Sequence, residues 1–115
     1  MSSIKVAKGA PRYHSTRYHS TRAQDDKTIG FADALLKGLA ADGGLFVPTH
    51  VPELKPSDWK NAETLAELGV NVLEAWLGEE ISRADLERIV YDALNFETPL
   101  VQLEDNLWEI GRAHV

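Results

Sequence analysis

No segment of this chain narrows its folding options as much as residues 82–96. Ser82 with Asp85 three residues on has the form of a capping box, and Leu86, Ile89, Val90 and Ala93 follow at i, i+3, i+4 and i+7. Phe96 and Pro99 close the segment, so the pattern predicts a helix with a single apolar stripe. Such a stripe has to be buried against a second element. The nearest candidate begins at Asn61, a plausible N-cap, and carries Leu65, Leu68, Val72, Leu73 and Trp76 on one face as far as about Leu77, with Gly78 just past its end. Gly69 inside it lowers helix propensity by about 1 kcal/mol relative to Ala, which points to close packing at that position.

A further helical pattern starts at Phe31, with Leu35 and Leu39 at i+4 and i+8 and Ala34 and Gly38 beside them. It is expected to end at Asp42-Gly43-Gly44, where a glycine can take the left-handed C′ conformation, and Leu45-Phe46-Val47-Pro48 then leaves as a short buried strand. Thr49 to Ser57, with Pro52 and Pro56, is expected to be a surface loop. Leu100 to Leu103 and Leu107 to Ile110 flank Glu104-Asp105-Asn106 and predict a β-hairpin. Near the start stands a direct repeat, Arg12-Tyr-His-Ser-Thr16 and Arg17-Tyr-His-Ser-Thr21, followed by Arg22. Its five-residue period is too short for a solenoid unit, so a local duplication is the simpler account, and the second copy suits a short extended segment. The fold class is therefore α+β, with about three helices and a few short strands around one core.

Composition removes several classes of function. The net charge of −6 argues against nucleic acid as a partner, since only residues 1–22 are basic and an acidic body repels phosphate. No apolar run approaches the length of a membrane span. There is no cysteine, which removes disulfides, thiolate metal sites and Cys nucleophiles and makes the cytoplasm the default location. The basic start lacks the apolar core of a secretory signal and the amphipathic period of a transit peptide, so it is taken as a tail, with organelle import the lesser alternative.

Several residues invite sharper readings. His14 and His19 would need further ligands to hold a metal, and His50 and His114 are remote in sequence, so two exposed imidazoles in a duplicated tail is the preferred account and no metal is expected. Asp42-Gly43-Gly44 resembles a phosphate cradle in composition, but it closes a helix and opens a strand, the reverse of such a loop, so a helix C-cap is expected. Glu79 with Glu80, and Glu104 with Asp105, are expected to be solvated charge near a helix end and in a turn rather than acid-base pairs. Of Trp59, Trp76 and Trp108, Trp76 is expected in the core and Trp108 against a neighbouring domain.

The order Tyr18-His-Ser-Thr-Arg22, Phe31-Ala-Asp-Ala-Leu-Leu-Lys-Gly-Leu-Ala40, Asp42-Gly-Gly-Leu-Phe-Val-Pro48, Trp76-Leu-Gly-Glu-Glu-Ile81, and Pro99-Leu-Val-Gln-Leu103 before Asn106-Leu-Trp-Glu109 resembles the start of threonine synthases with a dedicated N-terminal domain. The resemblance runs from about Tyr18 to Glu109. It implies a pyridoxal-phosphate enzyme, a lyase acting on phosphate that converts O-phospho-L-homoserine and water to L-threonine and phosphate in threonine biosynthesis. In that family the cofactor is the electron sink, and the lysine that holds it lies in a Phe-His-Gly-Pro-Thr-type stretch after the hairpin. Lys5, Lys8, Lys27, Lys37, Lys55 and Lys60 match no such motif, and the glycine-rich phosphate loop is absent. No catalytic, cofactor-binding or metal residue is therefore assigned, pyridoxal phosphate is expected only in the complete enzyme, and the chain alone is expected to be inactive.

The resemblance divides the chain into a tail with the duplicated segment (1–17), the N-terminal domain of a threonine synthase (18–99), a hairpin leading to the catalytic domain (100–109), and residues 110–115. Ile110-Gly-Arg-Ala-His-Val115 back-translates into a common short-read sequencing adapter, so these last residues are expected to be an assembly artefact. The expected partner is the catalytic domain of the same protein. Deleting Met1 to Thr16 is expected to leave stability nearly unchanged. Two alternatives stand beside this: a stand-alone helical protein-interaction module using the Leu and Trp surface, and an RNA-contacting tail from Arg12 to Arg22, which the acidic body disfavours.

Overall fold

The computed structural model describes residues 15–111. The elements run β1 (Tyr18–Ser20), α1 (Phe31–Lys37), β2 (Phe46–Pro48), α2 (Pro56–Trp59), α3 (Leu65–Leu77), α4 (Arg83–Ala93), β3 (Leu100–Glu104) and β4 (Leu107–Ile110). β1 and β2 form one two-stranded antiparallel sheet, and β3 and β4 form a second. The described residues thus form a small α+β domain with four helices, three of them of seven residues or more.

The core lies between α3 and α4. Ala66, Val70, Leu77, Ile81, Leu86 and Val90 form its buried cluster, with Phe31, Leu73, Trp76 and Leu94 packed against it. Val70, Leu86 and Val90 are almost completely buried, and such aliphatic side chains each contribute about 1.5–3 kcal/mol when removed from water. α4 begins where expected, the Ser82 hydroxyl accepting from the Asp85 N–H at 3.2 Å. Close packing at Gly69 is also found, since a β-carbon there would crowd Val90 and Leu94. The face of α3 is different from the expected one. Its buried residues are Ala66, Val70, Ala75 and Leu77, whereas Leu65 is exposed and Leu68, Val72, Leu73 and Trp76 are half-buried. α3 is apolar around most of its circumference, and the small residues Ala66 and Gly69 decide which side α4 can approach.

Its start also moves. The N-cap is Thr64, whose side chain accepts from the Glu67 N–H at 3.1 Å, and the Glu67 carboxylate accepts from the Glu63 N–H at 2.7 Å, so Thr64 and not Asn61 opens the helix. The stretch expected as a surface loop contains the one-turn helix α2. Pro56 at its first position needs no N–H partner, and the buried Asp58 accepts from the Lys55 N–H at 2.7 Å. Asn71 of α3 donates to the Asp58 carbonyl at 2.7 Å and fastens α2 to the core.

α1 is shorter than its pattern suggests. It ends at Lys37, and Gly38, at φ 72°, takes the left-handed role expected of Gly43 or Gly44. Only Ala34 of its expected stripe is buried, while Leu35, Leu36 and Leu39 are exposed. The hairpin is present with Asp105 and Asn106 as its two turn residues, because Glu104 already pairs with Leu107 and Asn106 supplies the positive φ that the turn requires. β1 is the extended segment expected of the second repeat copy.

The first copy differs most from expectation. Arg12 to His14 lie outside the described residues, but Ser15 and Thr16, placed in a dispensable tail by the sequence, are buried in the fold. The Ser15 N–H donates to Glu79 at 3.0 Å, the Glu79 N–H donates to the Ser15 hydroxyl at 2.8 Å, and the Thr16 N–H donates to the Trp76 carbonyl at 3.0 Å. Arg17 is tied in as well, its guanidinium donating to the Thr28 hydroxyl and carbonyl at 3.1 and 2.8 Å.

Candidate functional site

Two segments singled out in the sequence meet in space. Tyr18-His-Ser-Thr-Arg22 pairs along β2, with Tyr18 opposite Pro48, His19 opposite Val47 and Ser20 opposite Phe46. The Asp42-Gly43-Gly44 turn folds over its end. The chain reverses between Leu39 and Leu45, which form an isolated bridge, and Gly43 sits at φ 80° where a side chain would be strained. Asp42 accepts from the Gly44 N–H at 2.9 Å and from the buried Ser20 hydroxyl at 2.6 Å. Ser20 in turn accepts from the Arg22 N–H at 3.1 Å, and the Thr21 hydroxyl accepts from the Leu45 N–H at 3.0 Å. Gly44 is required by this contact, since a β-carbon there would overlap the Ser20 hydroxyl and crowd the Arg22 backbone N–H, whereas Gly43 is required by its positive φ.

The electrostatics follow from these bonds. The Ser20 hydroxyl, then the Gly44 N–H, hold the Asp42 carboxyl below the usual carboxylate range, and Arg22 adds to the effect. Ser20 directs its proton to Asp42 and accepts from the Arg22 N–H, so the cluster clasps the end of β1 to the Asp42 turn. A groove of about 270 Å³ runs beside the clasp, lined among others by Tyr18, Asp25, Lys37, Asp42 and Phe46. Burial, then the nearby Glu80 carboxylate, raise the Tyr18 phenol above its ordinary value.

Glu79 and Glu80 are not the freely solvated pair expected. Glu79 binds Ser15, and Glu80 accepts from the Phe31 N–H at 3.0 Å, placing a carboxylate at the first turn of α1. Glu104 and Asp105 are exposed at the hairpin turn. His19 is half-buried in β1 and His50 is exposed with its Nδ1 3.3 Å from the Thr49 hydroxyl, while His14 and His114 lie outside the described residues. Among the described residues no three His, Asp or Glu converge as metal ligands. Trp59, Trp76 and Trp108 stand on separate elements, Trp76 against the core and the other two about half exposed. No described helix is long and apolar enough to cross a membrane.

The described residues do not fit pyridoxal phosphate. Lys27, Lys37, Lys55 and Lys60 are all exposed, and Lys5 and Lys8 lie outside the described residues. A phosphate held at a helix N-terminus needs vacant backbone N–H groups. Here the N-terminus of α1 takes the Glu80 carboxylate, that of α3 the Thr64 hydroxyl and that of α4 the Ser82 hydroxyl. No chemical step is derived through the cofactor from this part of the chain.

The Ser15–Glu79, Ser20–Asp42 and Glu80–Phe31 bonds escape sequence reasoning because each joins residues far apart in the chain. Asp42 alone left a signal, an Asp followed by two glycines whose carboxylate binds the N–H two residues on.

Comparison with known proteins matches residues 17–94 to the family model described as threonine synthase N terminus. The threonine synthase of Saccharomyces cerevisiae is 36% identical over 100 residues, covering 78% of this chain and 18% of its own length. That of Pseudomonas aeruginosa is 34% identical over 110 residues, covering 90% and 22%. A crystal structure of threonine synthase with bound pyridoxal phosphate from Brucella melitensis superposes with a TM-score of 0.73 at 37% identity, over 84% of this chain and 22% of that one. The chain therefore spans about a fifth of the length of the relatives it matches.

Proposed function

The chain belongs to the threonine synthase family through that family's N-terminal region, and from this premise we propose that it serves as the non-catalytic N-terminal part of an enzyme converting O-phospho-L-homoserine and water to L-threonine and phosphate. The observation that carries this reading is the joint match in sequence and backbone to the cofactor-bearing Brucella enzyme. In this reading the remainder of the protein holds pyridoxal phosphate and supplies the carbanion chemistry, and the present residues catalyse nothing by themselves. Their part is to form a surface on which the catalytic domain closes. The exposed apolar hairpin, with Leu100, Leu103, Leu107 and Trp108, supports such a docking role. The cysteine-free, acidic composition supports a cytosolic setting and a protein rather than a nucleic-acid partner.

The test is a chimera in which residues 15–109 replace the matching segment of the Brucella enzyme, assayed by phosphate release from O-phosphohomoserine. The 115-residue chain alone should show no turnover, and the chimera should retain activity within about tenfold of its parent, a barrier change of about 1.4 kcal/mol. A chimera that folds and loads cofactor but does not turn over would overturn the reading and favour a stand-alone interaction module.

A further inference from the structure

α1 sorts its seven residues by polarity without burying most of the apolar ones. At helical spacing Phe31, Ala32, Leu35 and Leu36 fall on one continuous face, and Asp33 and Lys37 fall on the opposite one. The helix is held from a third side, where Ala34 is buried, Phe31 packs against the α3–α4 core and Glu80 accepts from the Phe31 N–H. Its leucine face stays open, Leu36 being 85% exposed and Leu35 65%. That face forms one wall of a cleft of about 560 Å³, and the turn at 79–81 forms the other. The Glu79 and Glu80 carboxylates in the turn already accept from the Ser15 and Phe31 N–H groups, so the apolar wall sets what the cleft takes.

A helix this short takes most of its stability from a covered apolar face. Area and length decide what covers this one. The open face amounts to a few hundred Å², whereas a stable complex of separate molecules buries about 800 Å² on each partner. A segment of the same polypeptide needs less, because its effective concentration is high before any contact forms. The relatives this chain matches carry about four-fifths of their length outside the matched part. We propose that this cleft, separate from the hairpin, is a second docking site, and that its occupant is an apolar side-chain face of the catalytic domain laid against Leu35 and Leu36. The proposal rests on the chain being the N-terminal part of a threonine synthase.

The full 115-residue chain contains no cysteine, so single substitutions label without background. Leu36→Cys reports the cleft, and Lys37→Cys reports the opposite face of α1. In the 115-residue chain both should react with a thiol reagent at similar rates, in a ratio that does not vary with protein concentration, and the α1 amides should exchange faster than those of α4. In the cofactor-loaded Brucella chimera carrying residues 15–109, labelling resolved by peptide mass should slow at Leu36→Cys by on the order of tenfold while Lys37→Cys keeps its rate. Equal rates at both positions in a chimera that turns over would overturn the cleft and leave the enzyme reading in place. Protection of Leu36→Cys in a chimera that loads cofactor without turnover would support the cleft and overturn that reading instead. Labelling of Leu36→Cys that slows with concentration relative to Lys37→Cys in the 115-residue chain would give the cleft to a second copy and overturn the proposal. So would α1 amides as well protected in that chain as those of α4, since α1 would then need no cover.

Discussion

Gly38 and Gly44 are constrained in different ways, which separates the consequences of the same substitution. Gly38 has a left-handed φ of 72° and open space around it, so Gly38→Ala meets only backbone strain of about 1–2 kcal/mol. Gly44 is buried, and an added methyl would overlap the Ser20 hydroxyl and crowd the Arg22 N–H and the Asp42 carboxylate. Gly44→Ala must dismantle the clasp, so its urea midpoint should fall below that of Gly38→Ala. The clasp also sets a pH dependence. The Asp42 carboxyl has its folded pKa lowered by Ser20 and Gly44, so the folded state binds its proton less tightly than the unfolded chain does. The stability it contributes is fully present above the unfolded value, about 3.9, and is lost as pH falls through the lower folded value. Urea unfolding from neutral to acid pH should show the difference between the parent chain and Asp42→Asn constant down to about pH 4 and shrinking below it. Tyr18 has the opposite sign. Its raised pKa gives stability present below its unfolded value and lost in alkali as pH rises through the folded one.

At the scale of elements, α4 is the one whose sequence signals and structure agree most closely, and the reason is physical. Its apolar stripe is narrow, its N-cap is local, and both can be read without knowing its neighbours. Leu86→Ala removes an almost fully buried side chain from the α3–α4 contact and should destabilise by about 2–5 kcal/mol, while Ser82→Ala should cost about 1 kcal/mol through the cap alone. Calorimetric melts of the two variants should rank in that order. α3 was legible as a helix but not in its buried face, because Leu65, Leu68, Val72 and Trp76 offer a second apolar surface beside the one α4 selects. α1 misled in the other direction, since Leu35 and Leu39 keep helical spacing yet face outward. The anchoring of Ser15 by Glu79 was illegible for want of any local signal, the partners being 64 residues apart. The expectation of no cofactor residue rested on missing motifs alone.

Across the whole molecule the apolar surface is unevenly placed. The hairpin carries Leu100, Leu103, Leu107, Trp108 and Ile110, each at least half exposed, and α1 adds Leu35 and Leu36. A two-stranded hairpin is marginal in water without a hydrophobic face packed against something else, and β3 and β4 each also offer an unpaired edge. At about 25 cal/mol per Å² of apolar area, a few hundred Å² of such surface represents several kcal/mol, which is comparable with the stability of a domain this small. The 115-residue chain by itself should therefore self-associate through the hairpin, and sedimentation velocity should show its mean mass rising with concentration. Leu107→Lys with Trp108→Lys should suppress that rise while leaving helical circular dichroism unchanged, because neither residue touches the α3–α4 core. Placed in the Brucella chimera, the same two substitutions should lower turnover, since there the hairpin would meet a catalytic domain instead of a second copy. A chain that stays monomeric at high concentration, with its hairpin amides protected from exchange, would show that β3 and β4 are stable without a partner and would remove the docking role assigned to them.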